Sequence, residues 1–209
     1  TKIISQLKSN IKIDESIFDF VKKIKINYSN HEIKNFINQL YTKKSLILGE
    51  IIIDKYNFVD AIGKSGKDSI LIYKEKGFLN FLGGTGYVAN LISNFTDVFY
   101  IFHVGKDNSQ LNFIKKNLNK KIKYYYLYKD KSPTITKLRY LDDYRKNKII
   151  GFYKMNDQFI SLKEETKYLI LIKKIISKIS NIVIVDYGHG ELSSGVINFL
   201  YKIGRAHVW

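Results

Sequence analysis

Three glycines within four positions, Gly83, Gly84 and Gly86, separate an apolar, strand-like run from a helix-like stripe. The run is Phe78, Leu79, Phe81 and Leu82; the stripe is Val88, Leu91, Ile92 and Phe95, spaced i, i+3, i+4, i+7. The glycines therefore lie where a strand turns into a helix. At such a turn the first backbone N–H groups have no helical partner, and the missing Cβ lets a ligand come close to them. A polar or anionic ligand suits that place. A chain built around such a turn belongs with folds that layer helices on a sheet.

The flanking segments carry the same alternation. Ser45–Leu48 is an apolar run of the kind that a parallel sheet buries on both faces, and Gly49, Glu50 and Asp54 follow it. Val98–Gly105 is a second such run and Ile182–Val185 a third, the last ending in Asp186-Tyr187-Gly188-His189-Gly190; Ile122–Tyr128 reads as a further strand. Helical patterns stand between them: Gln110–Asn119 with Leu111, Ile114 and Leu118 on one face, and Glu164–Ile179 with Leu169, Ile172, Ile175, Ile176 and Ile179 as its stripe. Leu192–Ile203 starts a further helix. Strand and helix in alternation mean an α/β fold with a mostly parallel sheet, whose ligands collect at the C-terminal ends of the strands. His103, inside the second run, reads as a core histidine.

Two stretches stand outside this pattern. Residues 1–44 read as a helical N-terminal appendage, with Ser29 or Asn30 as a cap and Ile33, Phe36, Ile37, Leu40 and Tyr41 as a stripe. Residues 55–82 hold short β-like runs at Phe58-Val59, Ile70–Tyr73 and Phe78–Leu82. Gly63-Lys64-Ser65-Gly66-Lys67 lies among them, but a P-loop needs a longer glycine spacing with a buried strand before it and a helix after it.

Composition excludes several classes. The chain of 209 residues has no cysteine, hence no disulfide frame and no thiolate metal site. No apolar run is long enough to span a bilayer, and the N-terminal residues show no apolar h-region; cytoplasm is the expected compartment. The formal charge of +16 suggests nucleic acid, yet Arg occurs only at 139, 145 and 205 and the lysines fall in scattered pairs. Lys, Ile, Asn, Tyr and Phe all have AT-rich codons, so base composition accounts for the excess. A nucleic-acid reader concentrates charge on one face, and none is expected here as a partner, nor is a membrane.

The only proline opens Pro133-Thr134-Ile135-Thr136-Lys137-Leu138-Arg139. Alternation puts Lys137 and Arg139 on one strand face, where two cations can hold a phosphate. Lys148–Lys154 is the expected paired strand. The end, Gly204–Trp209, brings the only Trp. One back-translation from Ile203 (ATC GGA AGA GCA CAC GTC TGG) resembles the start of a sequencing-library adapter. Residues 204–209 are therefore expected to be non-native, and the chain to be a fragment.

Four pieces now stand in order: Gly49–Tyr56, Gly83–Asn90, Pro133–Arg139 and Asp186–Gly190. Together they resemble the PfkB/ribokinase family of carbohydrate kinases, closest to the kinase domains that act on heptose 7-phosphate in lipopolysaccharide biosynthesis. The resemblance covers about residues 45–203. It implies a ribokinase-like three-layer sandwich with a small β-lid over about 55–82, lacking its C-terminal part, and a homodimer through the lid. It further implies ATP-dependent phosphoryl transfer to a sugar hydroxyl, with Mg²⁺. Asp54, Gly83, Gly84 and Asn90 would contact the sugar, Lys137 and Arg139 the phosphate of a sugar phosphate, and Asp186 would lie near the transfer site. The family's usual Gly-Asp is Gly49-Glu50 here, and His189 stands where the close relatives have Lys. The Gly-Ala-Gly-Asp motif, whose Asp is the family's general base, is absent, as is most of the nucleotide site; the chain alone is expected to be inactive. The alternatives are a PfkB kinase for another sugar or a nucleoside, and a non-catalytic sugar-binding protein.

Overall fold

The computed structural model describes residues 15–107, 109–203 and 206–208. The chain forms two units, Thr1–Tyr41 and Thr42–Trp209. In the first, α1 (Glu15–Asn27) and α2 (Asn30–Leu40) are helices; the part of the expected helical appendage before residue 15 lies outside the described residues. Ser29 caps α2 in a reciprocal box with Glu32, as the sequence suggests. No residue of α2 is buried, although Phe36 and Ile37 hold their helical spacing.

The second unit is built on a parallel sheet. Its strands are β1 (Lys44–Gly49), β4 (Asp97–Gly105), β5 (Lys123–Lys129), β8 (Asn181–Val185) and β9 (Ala206–Val208), ordered β5-β4-β1-β8-β9. β9 lies within residues 204–209, and its backbone pairs in parallel with β8. Alternation along the strands serves two cores. Leu46, Leu48, Phe99 and Ile101 face α5 (Leu162–Ile176) and α6 (Ser194–Ile203) through Tyr168, Ile172, Val196 and Leu200. Ile47, Val98, Tyr100 and Phe102 face α3 (Gly84–Ile92) and α4 (Leu111–Asn117) through Ala89 and Ile114. Both faces of the sheet are covered, which is why its strands read as unbroken apolar runs. The expected α/β fold with a mostly parallel sheet is the one observed.

Two expectations are corrected here. The first concerns α3. Its buried face is Thr85, Gly86 and Ala89, while Leu91 and Phe95 of the expected stripe are exposed. The helix begins so close to the sheet that only small side chains fit beneath it: a Cβ on Gly86 would lie 2.8 Å from the Leu82 side chain. Size, rather than hydrophobicity, selects the inner face. The second concerns the small sheet. The short runs merge into two long strands, β2 (Ile51–Lys64) and β3 (Leu71–Gly83), joined by a turn that contains Ser65–Asp68. β6 (Thr136–Asp142) and β7 (Lys148–Lys154) complete a sheet ordered β3-β2-β6-β7, which extends beyond residues 55–82. β2 pairs with β6 in parallel, bringing chain segments more than 80 positions apart into register, which no local pattern announces.

The two sheets differ in what they bury. Phe102 is fully enclosed and stacks on Tyr100 at 4.5 Å between ring centroids, whereas Phe78 of β3 is 65% exposed. Phe102→Ala is expected to cost about 3–5 kcal/mol in urea unfolding. Phe78→Ala is expected to stay within about 0.5 kcal/mol.

Candidate functional site

β1 ends at Gly49, β2 starts at Ile51, and Glu50 between them is the joint of the second unit. Its backbone carbonyl accepts from Thr85 N–H at 3.0 Å and from the Thr85 hydroxyl at 2.7 Å. Its carboxylate accepts from the amides of Tyr187 at 2.9 Å, His189 at 3.0 Å and Glu191 at 3.5 Å. One residue thus joins the end of β1 to the glycine turn and to the loop after β8. The carboxylate is 2% exposed as a residue. Burial pushes its pKa up from the ordinary value, Glu191 and Asp186 add to the rise, and the Tyr187 amide opposes it.

Glu50 belongs to a buried polar cluster. Lys129 Nζ donates to the carbonyls of Asn156 at 2.7 Å and His189 at 2.8 Å, and its pKa is lowered by burial against the attraction of Glu191 and Glu50. His103 Nδ1 stands 3.4 Å from Glu191 Oε1, and its ring lies 5.0 Å from that of Tyr168. His189 Nδ1 pairs with Asp157 at 2.7 Å. A space of about 20 Å³ lies among Glu50, His103, Lys129, His189 and Glu191, enough for about one water molecule.

Beside this cluster the sequence-predicted residues come together in part. Gly83 faces Ile52 across the β2–β3 pair, and a Cβ on it would lie 2.1 Å from Asp54 Oδ2. Gly84 has φ +55° and would place a Cβ 2.6 Å from the Glu50 carbonyl oxygen, so only glycine fits. Asp54 therefore lies directly over the glycine turn, at the C-terminal edge of the parallel sheet. Arg139 joins them: its Nη1 meets Asp54 Oδ1 at 2.5 Å. The guanidinium also lies 5.5 Å from the Tyr56 ring centre and 5.3 Å from that of Tyr153. Burial opposes its charge, but Asp54 and Tyr153 outweigh burial and hold its pKa above the ordinary value. Lys137, on the same strand face, places Nζ 5.7 Å from the Tyr153 ring.

Two predicted residues engage differently. Asn90 donates to the Asn117 carbonyl at 2.8 Å and accepts from the Asn119 amide at 2.8 Å. It braces the end of α4. Asp186 accepts from Gly188 N–H at 2.8 Å, closing its own turn on the exposed side of the loop. Sequence reasoning missed Lys129, Glu191 and Asp157. Glu191 stands one residue past the quoted Asp186–Gly190 piece, and the lone Lys129 sits at the end of an apolar strand. Those were the available signals.

No family model matches the sequence, and no curated protein matches it. Solved structures do match. The carbohydrate kinase from Agrobacterium tumefaciens superposes with a TM-score of 0.55 at 13% identity, over 79% of this chain and 52% of its own. Phosphofructokinase-2 from Escherichia coli in complex with substrates and products gives 0.56 at 12% identity, over 79% and 52%. The same enzyme in complex with fructose-6-phosphate gives 0.54 at 15%, over 79% and 54%. The shared feature is the fold, and the chain spans about half the length of these structures.

The raised pKa of Glu50 has a definite sign. The folded chain holds that proton more tightly than the unfolded chain, so the stability tied to Glu50 is fully present below the ordinary value of 4.5 and is lost as pH rises through the folded value. Glu50→Gln does not titrate. In urea unfolding across a pH series, wild-type stability minus that of the variant is expected to be highest at the acid end and to fall with rising pH. A difference that grows with pH would count against this burial.

Proposed function

We propose that this chain is the sugar-binding part of an ATP-dependent carbohydrate kinase of the PfkB/ribokinase type, acting on a phosphorylated sugar, with heptose 7-phosphate as the specific candidate. The observation that carries this reading is Asp54 held over Gly83 at the C-terminal edge of the parallel sheet, with two cationic side chains of the small sheet beside it. In this reading the Asp54 carboxylate accepts hydrogen bonds from sugar hydroxyls, and the bare backbone at Gly83 lets the ring approach. Lys137 and Arg139 receive the phosphate that the sugar already carries. The small sheet covers the bound sugar and excludes water. Catalysis in such a site is positioning and charge neutralisation more than covalent chemistry. A homodimer through the lid belongs to the same reading: β3 exposes Phe78, Leu79 and Phe81.

ATP supplies the phosphoryl group and Mg²⁺ neutralises its charge when they are bound. Among the described residues no three His, Cys, Asp or Glu side chains converge on a metal position. The Gly-Ala-Gly-Asp string is also absent from the sequence. None of the described residues is assigned to nucleotide or metal. A sugar-binding protein without turnover is the competing reading, favoured by Glu50 and His189 in place of the family's usual residues.

The test is to read the source DNA past the codon for Ile203 and to assay the longer protein for ADP release with heptose 7-phosphate, fructose 6-phosphate and their unphosphorylated sugars. Turnover with a sugar phosphate is expected, and Asp54→Ala is expected to lower kcat/KM by about 100-fold or more. A stop directly after Trp209, or no turnover with any sugar, would leave the binding-protein reading in its place.

A further inference from the structure

We propose that Arg139 is an internal latch on Asp54, and that the anion of a phosphorylated substrate opens it. On binding, phosphate replaces the Asp54 carboxylate on the guanidinium and so frees Asp54 for a sugar hydroxyl. This rests on the reading of Asp54 as the hydroxyl-binding side chain, and it makes Arg139 the substrate-binding residue that selects phosphorylated over unphosphorylated sugars.

Three observations carry it. First, the Asp54–Arg139 contact at 2.5 Å is largely enclosed, with side-chain exposures of 23% and 15%. A sugar hydroxyl that reaches for Asp54 Oδ1 competes with the guanidinium already bound there. An uncharged sugar that drew Asp54 away would leave a largely enclosed guanidinium without an anion, which is costly.

Second, Asp54 does not hold the guanidinium alone. The rings of Tyr56 and Tyr153 stand 5.5 and 5.3 Å from it. Gly151 lies directly across from Arg139 in the β6–β7 pair, and a Cβ there would come within 3.2 Å of the Tyr153 ring. The empty side-chain position is what lets that ring lie back toward Arg139. Arg139 therefore keeps its place when Asp54 leaves, with its planar fork ready for a second anion.

Third, the charges do not balance in the free site. Lys137 and Arg139 share one strand face with Asp54, two cations against one carboxylate. A sugar phosphate carries about −1.5 to −2 at neutral pH. It matches both cations, where Asp54 matches only one.

The probe is inorganic phosphate, titrated into the complete 209-residue chain and followed by NMR. The chain has only three Arg, at 139, 145 and 205, so the side-chain Nε–Hε signals are few, and Arg139→Lys assigns the relevant one. Phosphate is expected to move the Arg139 signal and the Asp54 ¹³Cγ signal together. Asp54→Asn, which removes the internal competitor, is expected to bind phosphate roughly fivefold or more tightly than wild type. Lys137→Ala is expected to bind it more weakly. Fructose 6-phosphate is expected to displace phosphate from Arg139, and fructose is not.

An Asp54→Asn chain with a folded spectrum and unchanged phosphate affinity would overturn the latch. So would an Asp54 ¹³Cγ signal in the wild type that stays fixed while Arg139 saturates, a reading that does not depend on the variant folding. The two proposals fail separately. A tight-binding Asp54→Asn chain beside an inactive longer protein keeps the latch and removes the kinase. An active longer protein with no gain in Asp54→Asn does the reverse.

Discussion

A single buried carboxylate sets the geometry of this molecule. Glu50 sits where the parallel sheet gives way to the small sheet, and its side chain accepts from three backbone amides of the loop after β8. Backbone N–H groups withdrawn from water must find acceptors, and an unmet one costs about 1–3 kcal/mol. The Tyr187–Glu191 loop has no helix or strand to supply them, so Glu50 does. At the same time the Glu50 carbonyl holds Thr85, the first buried residue of the helix that follows the glycine turn. The loop, the turn and the start of the small sheet therefore share one point of attachment. The cost is a charge kept in a confined space beside Glu191, offset by Lys129 and by the same amides.

The parallel sheet was legible in the sequence because its cause is local. Unbroken runs such as Val98–Val104 mean burial on both faces, and the helical stripes between them supply the covering layers. The capping box at Ser29 was legible for the same reason, three residues apart on one turn. The inner face of α3 was not: there the contact is so close that Thr85, Gly86 and Ala89 replace the larger apolar residues that a periodicity rule selects.

Long-range register was the second thing hidden. Nothing near Asp54 announces that it lies beside Lys137 and under Arg139, because the β2–β6 pairing depends on how the chain returns after β5. The Asp54, Gly83 and Gly84 grouping was legible through a resemblance to known kinases, and the geometry brings those residues together. Asn90, drawn from the same resemblance, instead holds the backbone at Asn117 and Asn119. The amide of an asparagine serves a ligand or a loop end equally well, and sequence does not distinguish the two.

Only Glu50 separates the last residue of β1 from the first of β2. The small sheet is thus not hung on a flexible linker. At this crossing it is held by one residue, clamped on one side by Thr85 and on the other by the Tyr187–Glu191 loop. Asp54 and Arg139 ride on the two inner strands of that sheet, β2 and β6, and β2 runs directly into Glu50. The strand that carries Asp54 and the loop after β8 therefore share one neighbour, so a displacement of either is felt first at Glu50.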